Sequence, residues 1–267
     1  MRIANQLNKP IVGITSGFVE KGKDFGSNVY PILKQPKVAI VSGNEVSSLA
    51  FGEVWFYLEH DLSLSACIIT AKDINNLDIN KVNTLILPDG SYSAFISEGL
   101  TAWLNKGGKL ILMEDAIESV IDKKSFEIKK KEVIAKKDEK PIPSKLLFKD
   151  KDKDDYEFAI PGAIYKVSLD ASHPFAYGLG KTYYTLKTDR KIYEPFAEGW
   201  NVGLVNDKSL MAGVVGKKVR EELKSGLLIG VQNFGRGTVV YLANDPLFRN
   251  FWESGKTLFS NIIFCKY

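Results

Sequence analysis

The feature that most constrains this chain is a series of short, continuous apolar runs separated by helical patterns. Lys37-Val38-Ala39-Ile40-Val41, Ser65 to Thr70, Thr84-Leu85-Ile86-Leu87-Pro88 and Lys109-Leu110-Ile111-Leu112-Met113 each read as a strand. None alternates polar with apolar residues, so each is expected to be buried on both faces. Between them, 46-VSSLAFGEVWFYLEHDL-62 and Ser97 to Asn105 read as helices, and Asp73 to Asn76 as a turn or short helix. This alternation predicts an α/β domain with a mostly parallel sheet covered on both faces.

The flanks read differently. Residues 1–35 are rich in Gly, Pro, Ser and Asn and predict an extended arm or linker, which leaves 36–267 as the folded domain. Within that domain, 122–157 is dense in Lys, Asp and Glu of mixed sign and reads as a solvated insertion. After it, Ala163 to Leu169, Tyr183 to Leu186 and Asn201 to Val205 form short β-like runs. Leu227 to Gln232 and Thr238 to Ala243 flank a hairpin turn, 233-NFGRG-237, and a closing helix is expected from about Leu247 to Phe264.

Bulk properties exclude several classes. Of 267 residues, 45% are hydrophobic and 25% charged, ordinary values for a globular protein. A net charge of +4, with lysines interleaved among acids, gives no basic patch for nucleic acid. No apolar run approaches a membrane span, and MRIANQLNKP lacks the apolar core of a signal peptide. The two cysteines, Cys67 and Cys265, are no disulfide framework, and both read as buried or incidental thiols.

Ligands of open parallel sheets bind at the carboxyl ends of the strands. Those ends supply Ser42, Gly43, Asn44 and Glu45; Asp89, Gly90 and Ser91; Glu114 and Asp115; and Asn244 and Asp245, with Arg249 at the start of the last helix. Such residues also suit turns and helix caps, so the cluster has a purely architectural reading beside the functional one. The run 107-GGKLILMEDAIESV-120 has the outline of a nucleophile elbow, but it carries Glu114-Asp115 where a Cys or Ser would stand. Glu114, Asp115 and Asp89 are therefore the candidate acid/base groups.

Other chemistries find no support. Two histidines, His60 and His173, and no C-x-x-C or H-x-x-E pattern argue against a zinc site, and no cofactor is expected. Gly180-Lys181-Thr182 and Gly255-Lys256-Thr257 lack the first glycine of a phosphate loop. His173, before Pro174, reads as a turn residue. Helix 46–62 is apolar nearly all round, with Phe51, Trp55 and Phe56 spilling off its main face. It is expected to be buried on more than one side, against its own sheet and another domain or subunit, with Glu53 paired or at a functional edge.

Several stretches carry a resemblance: 17-GFVEKGKDFGS-27, 36-PKVAIVSGNEVSSLAFGEVWFYLE-59, 84-TLILPDGSY-92, 107-GGKLILMEDA-116, 160-IPGAIYKVSLDASHPFAYG-178, 199-GWNVG-203 and 235-GRGTVVYLANDPLFRNFWESGKTLFSN-261. As an ordered set they resemble the C-terminal class I glutamine amidotransferase-like region of bacterial, Bacteroidetes-type zinc carboxypeptidases, which implies a doubly wound α/β fold with a flavodoxin-like core. The resemblance implies that zinc belongs to a separate upstream peptidase domain, whose H-x-x-E is absent here. It also implies an exported parent, and as partner either that peptidase domain or a second copy in a homo-oligomer. A true amidotransferase would place Cys at the elbow and a His downstream, so glutaminase chemistry is not implied. The expected role is a non-catalytic accessory or ligand-binding domain. The alternatives are a carboxylate-dependent hydrolase or transferase and a small-molecule or carbohydrate-binding module. Candidate ligand contacts are Ser42, Glu45, Glu53, Gly90, Ser91, Asp245 and Arg249, and an exposed Trp55 or Tyr92 beside a cleft would favour the carbohydrate reading.

Overall fold

The computed structural model describes residues 2–27, 29–30, 32–121, 123–131 and 156–265. The chain divides into two units, Met1–Gln35 and Pro36–Tyr267. The first contains helix α1 (Arg2–Gln6) and a turn in which Phe25 N donates to Gly17 O at 2.8 Å and the Phe25 ring meets Tyr30 edge-on. Val12, Phe18 and Ile32 of this unit are exposed.

The second unit is built on a ten-stranded sheet, counted over the described residues. Its strands are β1 (Val38–Ser42), β2 (Ala66–Thr70), β3 (Thr84–Leu87), β4 (Lys109–Met113), β5 (Gly162–Leu169), β6 (Thr182–Lys187), β7 (Trp200–Val205), β8 (Leu210–Val214), β9 (Gly226–Phe234) and β10 (Gly237–Leu242). The order is β2-β1-β3-β4-β10-β9-β7-β5-β6, with β8 beside β5. The first five are mutually parallel, and β9, β7, β5, β6 and β8 extend them antiparallel. The helices are α2 (Ser48–Phe56), α3 (Glu98–Asn105), α4 (Lys217–Glu222) and α5 (Glu253–Phe264). None is long and apolar enough to cross a membrane.

Burial explains the two kinds of strand pattern. Ile40, Leu85, Ile86, Leu110, Ile111, Val239 and Val240 are wholly buried, so the parallel core tolerates no polar alternate. Strands β5 and β6 alternate buried and open positions, as strands covered on one face must. The hairpin from β9 to β10 turns at Gly235, whose φ of +60° and 2.2 Å approach of a built Cβ to Asn105 Oδ1 admit only glycine.

Several expectations are corrected. Cys67 is exposed, because β2 is the outermost strand of the sheet. The closing helix begins at Glu253, since Arg249 (φ 49°) and Asn250 (φ 54°) turn left-handed before it. Helix α2 buries Ala50 and Val54 but leaves Leu49, Trp55 and Phe56 exposed. It runs on through a π turn, Tyr57–Asp61, anchored to α5 where Tyr57 Oη donates to Lys256 O at 2.7 Å and Asp61 pairs with Lys256 at 2.8 Å. Of the charged insertion, 122 and 132–155 lie outside the described residues, while Phe126 and Ile128 are buried.

Candidate functional site

Strand β4 ends at Met113, and the next residue, Glu114, has φ 47°. A left-handed turn at a non-glycine residue is uncommon and costs on the order of 1–3 kcal/mol, and it persists where surrounding structure enforces it. The chain then enters a 3-10 turn, Glu114–Ser119. The sharp turn read from the sequence is present with a carboxylate at its tip, but a short 3-10 turn follows it where the sequence predicts a helix from Ala116.

Three neighbours close around that tip. Asp89, at the end of β3, accepts a hydrogen bond from Asp115 N at 3.1 Å. Asp245, beyond β10, lies close to Glu53 of α2, a second carboxyl that raises its proton affinity. Glu53 also accepts from Arg249 N at 2.9 Å. The third neighbour is the segment after β6, which had no marker in the sequence. The antiparallel half curls back, so β6, four strands from β10 in sheet order, delivers Lys187 to the end of β10. The buried Lys187 ammonium donates to Ala243 O at 3.1 Å and to Asp189 Oδ1 at 2.5 Å. Lys191 pairs with Asp115.

The electrostatics follow from burial. Burial first, then the charges of Asp89 and Asp189, push Glu114 up to about 7, against the pull of Lys187. Asp245 is held well above the ordinary carboxylate range by burial, then by its hydrogen bond to Glu53 and the charges of Glu53 and Glu114. Asp89 is raised by burial and pulled back by Lys191. The site therefore retains protons near neutral pH, at carboxyls that can donate as well as accept hydrogen bonds.

The other candidates serve the frame. Ser91 N donates to Glu45 O and Ser47 N to Asp89 O, each at 2.9 Å, and Val46 bridges Gly90. A Cβ on Gly90 would stand 2.3 Å from Glu45 O, so this close approach needs glycine. Thus Glu45, Gly90 and Ser91 join the loops after β1 and β3 through their backbones, and Ser42 ends β1 half-buried. The Arg249 guanidinium lies over its neighbour Phe248, 5.2 Å from the ring centre. Tyr92 is fully buried, with its hydroxyl on Pro88 O, while Trp55 is 41% exposed.

No thiol–imidazole pair serves the elbow. Cys67 lies within β2, three strands from β4. Cys265 O accepts from Lys109 Nζ at 2.8 Å, at the opposite end of β4 from Glu114. Five residues at about 3.3 Å each separate those ends. His173 packs on Phe175, whose carbonyl is held by Asn261 and whose ring lies 6.0 Å from Lys109 Nζ, so it too belongs to the Lys109 side. Burial lowers its pKa. His60 is exposed, stacked on Phe56 and bonded to Asp61 at 2.8 Å. Among the described residues, no group of three or more His, Cys, Asp or Glu side chains could hold a metal ion.

No family model matches the chain, and no curated protein matches it. Among solved structures it is similar to a GMP synthase subunit-like protein from Thermoplasma acidophilum. The TM-score is 0.51 at 10% identity, over 86% of this chain and 94% of that one. A β-galactosidase from Bacillus circulans sp. alkalophilus gives 0.48 at 13% identity, over 85% of this chain and 30% of the other. A ThuA-like protein from Parabacteroides merdae gives 0.46 at 12% identity, over 78% and 79%. The first likeness is one of fold: the chain has the class I glutamine amidotransferase-like fold, with a flavodoxin-like parallel core.

Proposed function

We propose that this chain is a ligand- or partner-binding domain that accompanies a zinc carboxypeptidase-like enzyme and performs no glutaminase reaction itself. One observation carries the reading: the elbow keeps its strained turn but presents Glu114, while both cysteines and His173 lie elsewhere in the fold. Glutamine hydrolysis at an elbow needs a nucleophile with a base in reach. A carboxylate cluster that holds protons is instead suited to recognising a ligand's hydrogen-bonding groups. The resemblance of the ordered motifs to the carboxypeptidase C-terminal region is what suggests the link to a peptidase, and zinc would reside in that separate domain.

The test is to mix the purified chain with the zinc carboxypeptidase domain encoded in the same genome. Co-elution on size exclusion and a changed peptidase kcat/KM support the proposal. Separate elution with unchanged kinetics overturns it.

A second reading has its own support. Glu114, raised to about 7, and Asp245, raised to about 8, are carboxyls held near neutrality by burial, as acid/base hydrolysis or transfer requires. Turnover of a panel of esters, amides and glycosides that disappears in Glu114→Gln would favour this reading over the first.

A further inference from the structure

Strand β2, Ala66-Cys67-Ile68-Ile69-Thr70, has the composition of an interior strand at the margin of the sheet. Its neighbour β1 has the same apolar character, and there Ala39, Ile40 and Val41 are completely buried. On β2, Cys67 and Thr70 are exposed and Ile68 is 51% exposed. Among the described residues, β2 pairs only with β1, so its outward N–H and C=O groups meet no strand. Natural edges are protected by charges, proline, bulges or a covering element. The five residues of β2 contain no charge and no proline, and they keep an unbroken register with β1.

Strand β8, which is also apolar and open, differs in its backbone. Its pairing with β5 slips between Ile164 and Tyr165, and Gly213 stands at φ +97°. Those irregularities spoil β8 as a template for another strand. Nothing comparable spoils β2.

We propose that β2 is the seam of a two-fold homodimer, in which Ala66–Thr70 pairs antiparallel with the same strand of a second copy and Ile68 sits on the axis. The sequence is self-complementary in this register. Ile68 faces Ile68 of the second copy, Cys67 faces Ile69, and Ala66 faces Thr70, so apolar meets apolar at every central position. The paired residues carry no charge, and the nearest charges after the strand, Lys72 and Asp73, lie in the 3-10 turn that leaves the edge. The strand ends are fixed, because Asp73 Oδ2 accepts from both Thr70 N (2.9 Å) and Thr70 Oγ1 (2.7 Å) and turns the chain off the edge. An antiparallel two-fold contact closes on itself, so two sheets join into one and the β2 edge of each copy is covered.

The experiment measures the mass of the full chain in solution by light scattering and sedimentation, from micromolar to submillimolar concentration. A dimer of twice 29.8 kDa at the upper end is expected. Ile68→Lys, a change at an already exposed side chain, should restore the monomer mass with an unchanged circular dichroism spectrum. Register is read separately in a Cys67→Ser, Cys265→Ser background. There Ile68→Cys should give an intermolecular disulfide on mild oxidation, because residues opposite each other on the axis lie about 4.5–5.5 Å apart. Lys72→Cys should not, because position 72 lies in the 3-10 turn beyond the strand, and even at Thr70, two residues from the axis, symmetry mates stand about 13 Å apart, well outside the span of a disulfide. A monomer throughout the range, a dimer indifferent to Ile68→Lys, or equal cross-linking at positions 68 and 72 would each overturn the proposal.

Discussion

Replacing Glu114 by glutamine tests the electrostatic account of the site directly. The carboxyl rises from 4.5 to about 7 on folding, chiefly through burial. A tenfold change in proton affinity is worth about 1.4 kcal/mol, so this rise corresponds to a linked free energy of about 3 kcal/mol. Its sign is unfavourable at neutral pH. The folded state holds the proton more tightly than the unfolded chain, so Glu114 costs nothing below about pH 4.5. The cost grows as pH climbs from 4.5 to 7 and is constant above. Glutamine keeps the size of the side chain and cannot ionise. Glu114→Gln should therefore match the wild type near pH 4 and exceed it by up to about 3 kcal/mol at pH 8. At roughly 2–4 °C per kcal/mol, the midpoint at pH 8 should rise by about 6–12 °C. Scanning calorimetry of both proteins between those pH values is the assay. Asp245 imposes its own pH dependence on both, so the difference between the two curves isolates Glu114. A variant that is less stable at pH 8, or a difference that does not change with pH, would mean that Lys187 already satisfies the ionised carboxylate. The reasoning from burial would then be wrong. A stabilised variant would instead mark Glu114 as a residue held against stability, which is common at functional sites.

Other consequences can be measured alongside. Lys187→Met removes the buried cation that restrains Glu114, so carboxyl titration by NMR should place Glu114 above about 7, with a stability loss of about 1–3 kcal/mol from the unpartnered Ala243 O and Asp189. Gly90→Ala drives a Cβ to 2.3 Å from Glu45 O and should cost about 1–3 kcal/mol in denaturant unfolding, with no change in secondary structure by circular dichroism. Arg190 holds the nearly buried Glu222 with two bonds of 2.8 and 2.6 Å, but its own side chain is 45% exposed. Arg190→Ala should cost about 2 kcal/mol, most of it recovered when Glu222→Gln is added.

The parallel core is legible in the residues alone. Runs such as Leu110–Met113 and Leu85–Leu87 carry a local signature, because the middle of a strand buried on both faces is apolar throughout, and their positions also mark the strand ends where Glu114, Asp89 and Asp245 project. The absence of an elbow thiol is likewise a matter of residue identity. Which of these residues share an environment is settled only by the folded chain. Lys187, Asp189 and Lys191 reach the elbow because an antiparallel extension curls back across four strands, and no local pattern encodes that path. The approach of Glu53 to Asp245 joins residues far apart in the chain, so the raised carboxyl does not follow from composition. The exposure of Cys67 has the same origin. An apolar strand reads alike at the centre or the margin of a sheet, and only strand order, a non-local property, distinguishes them.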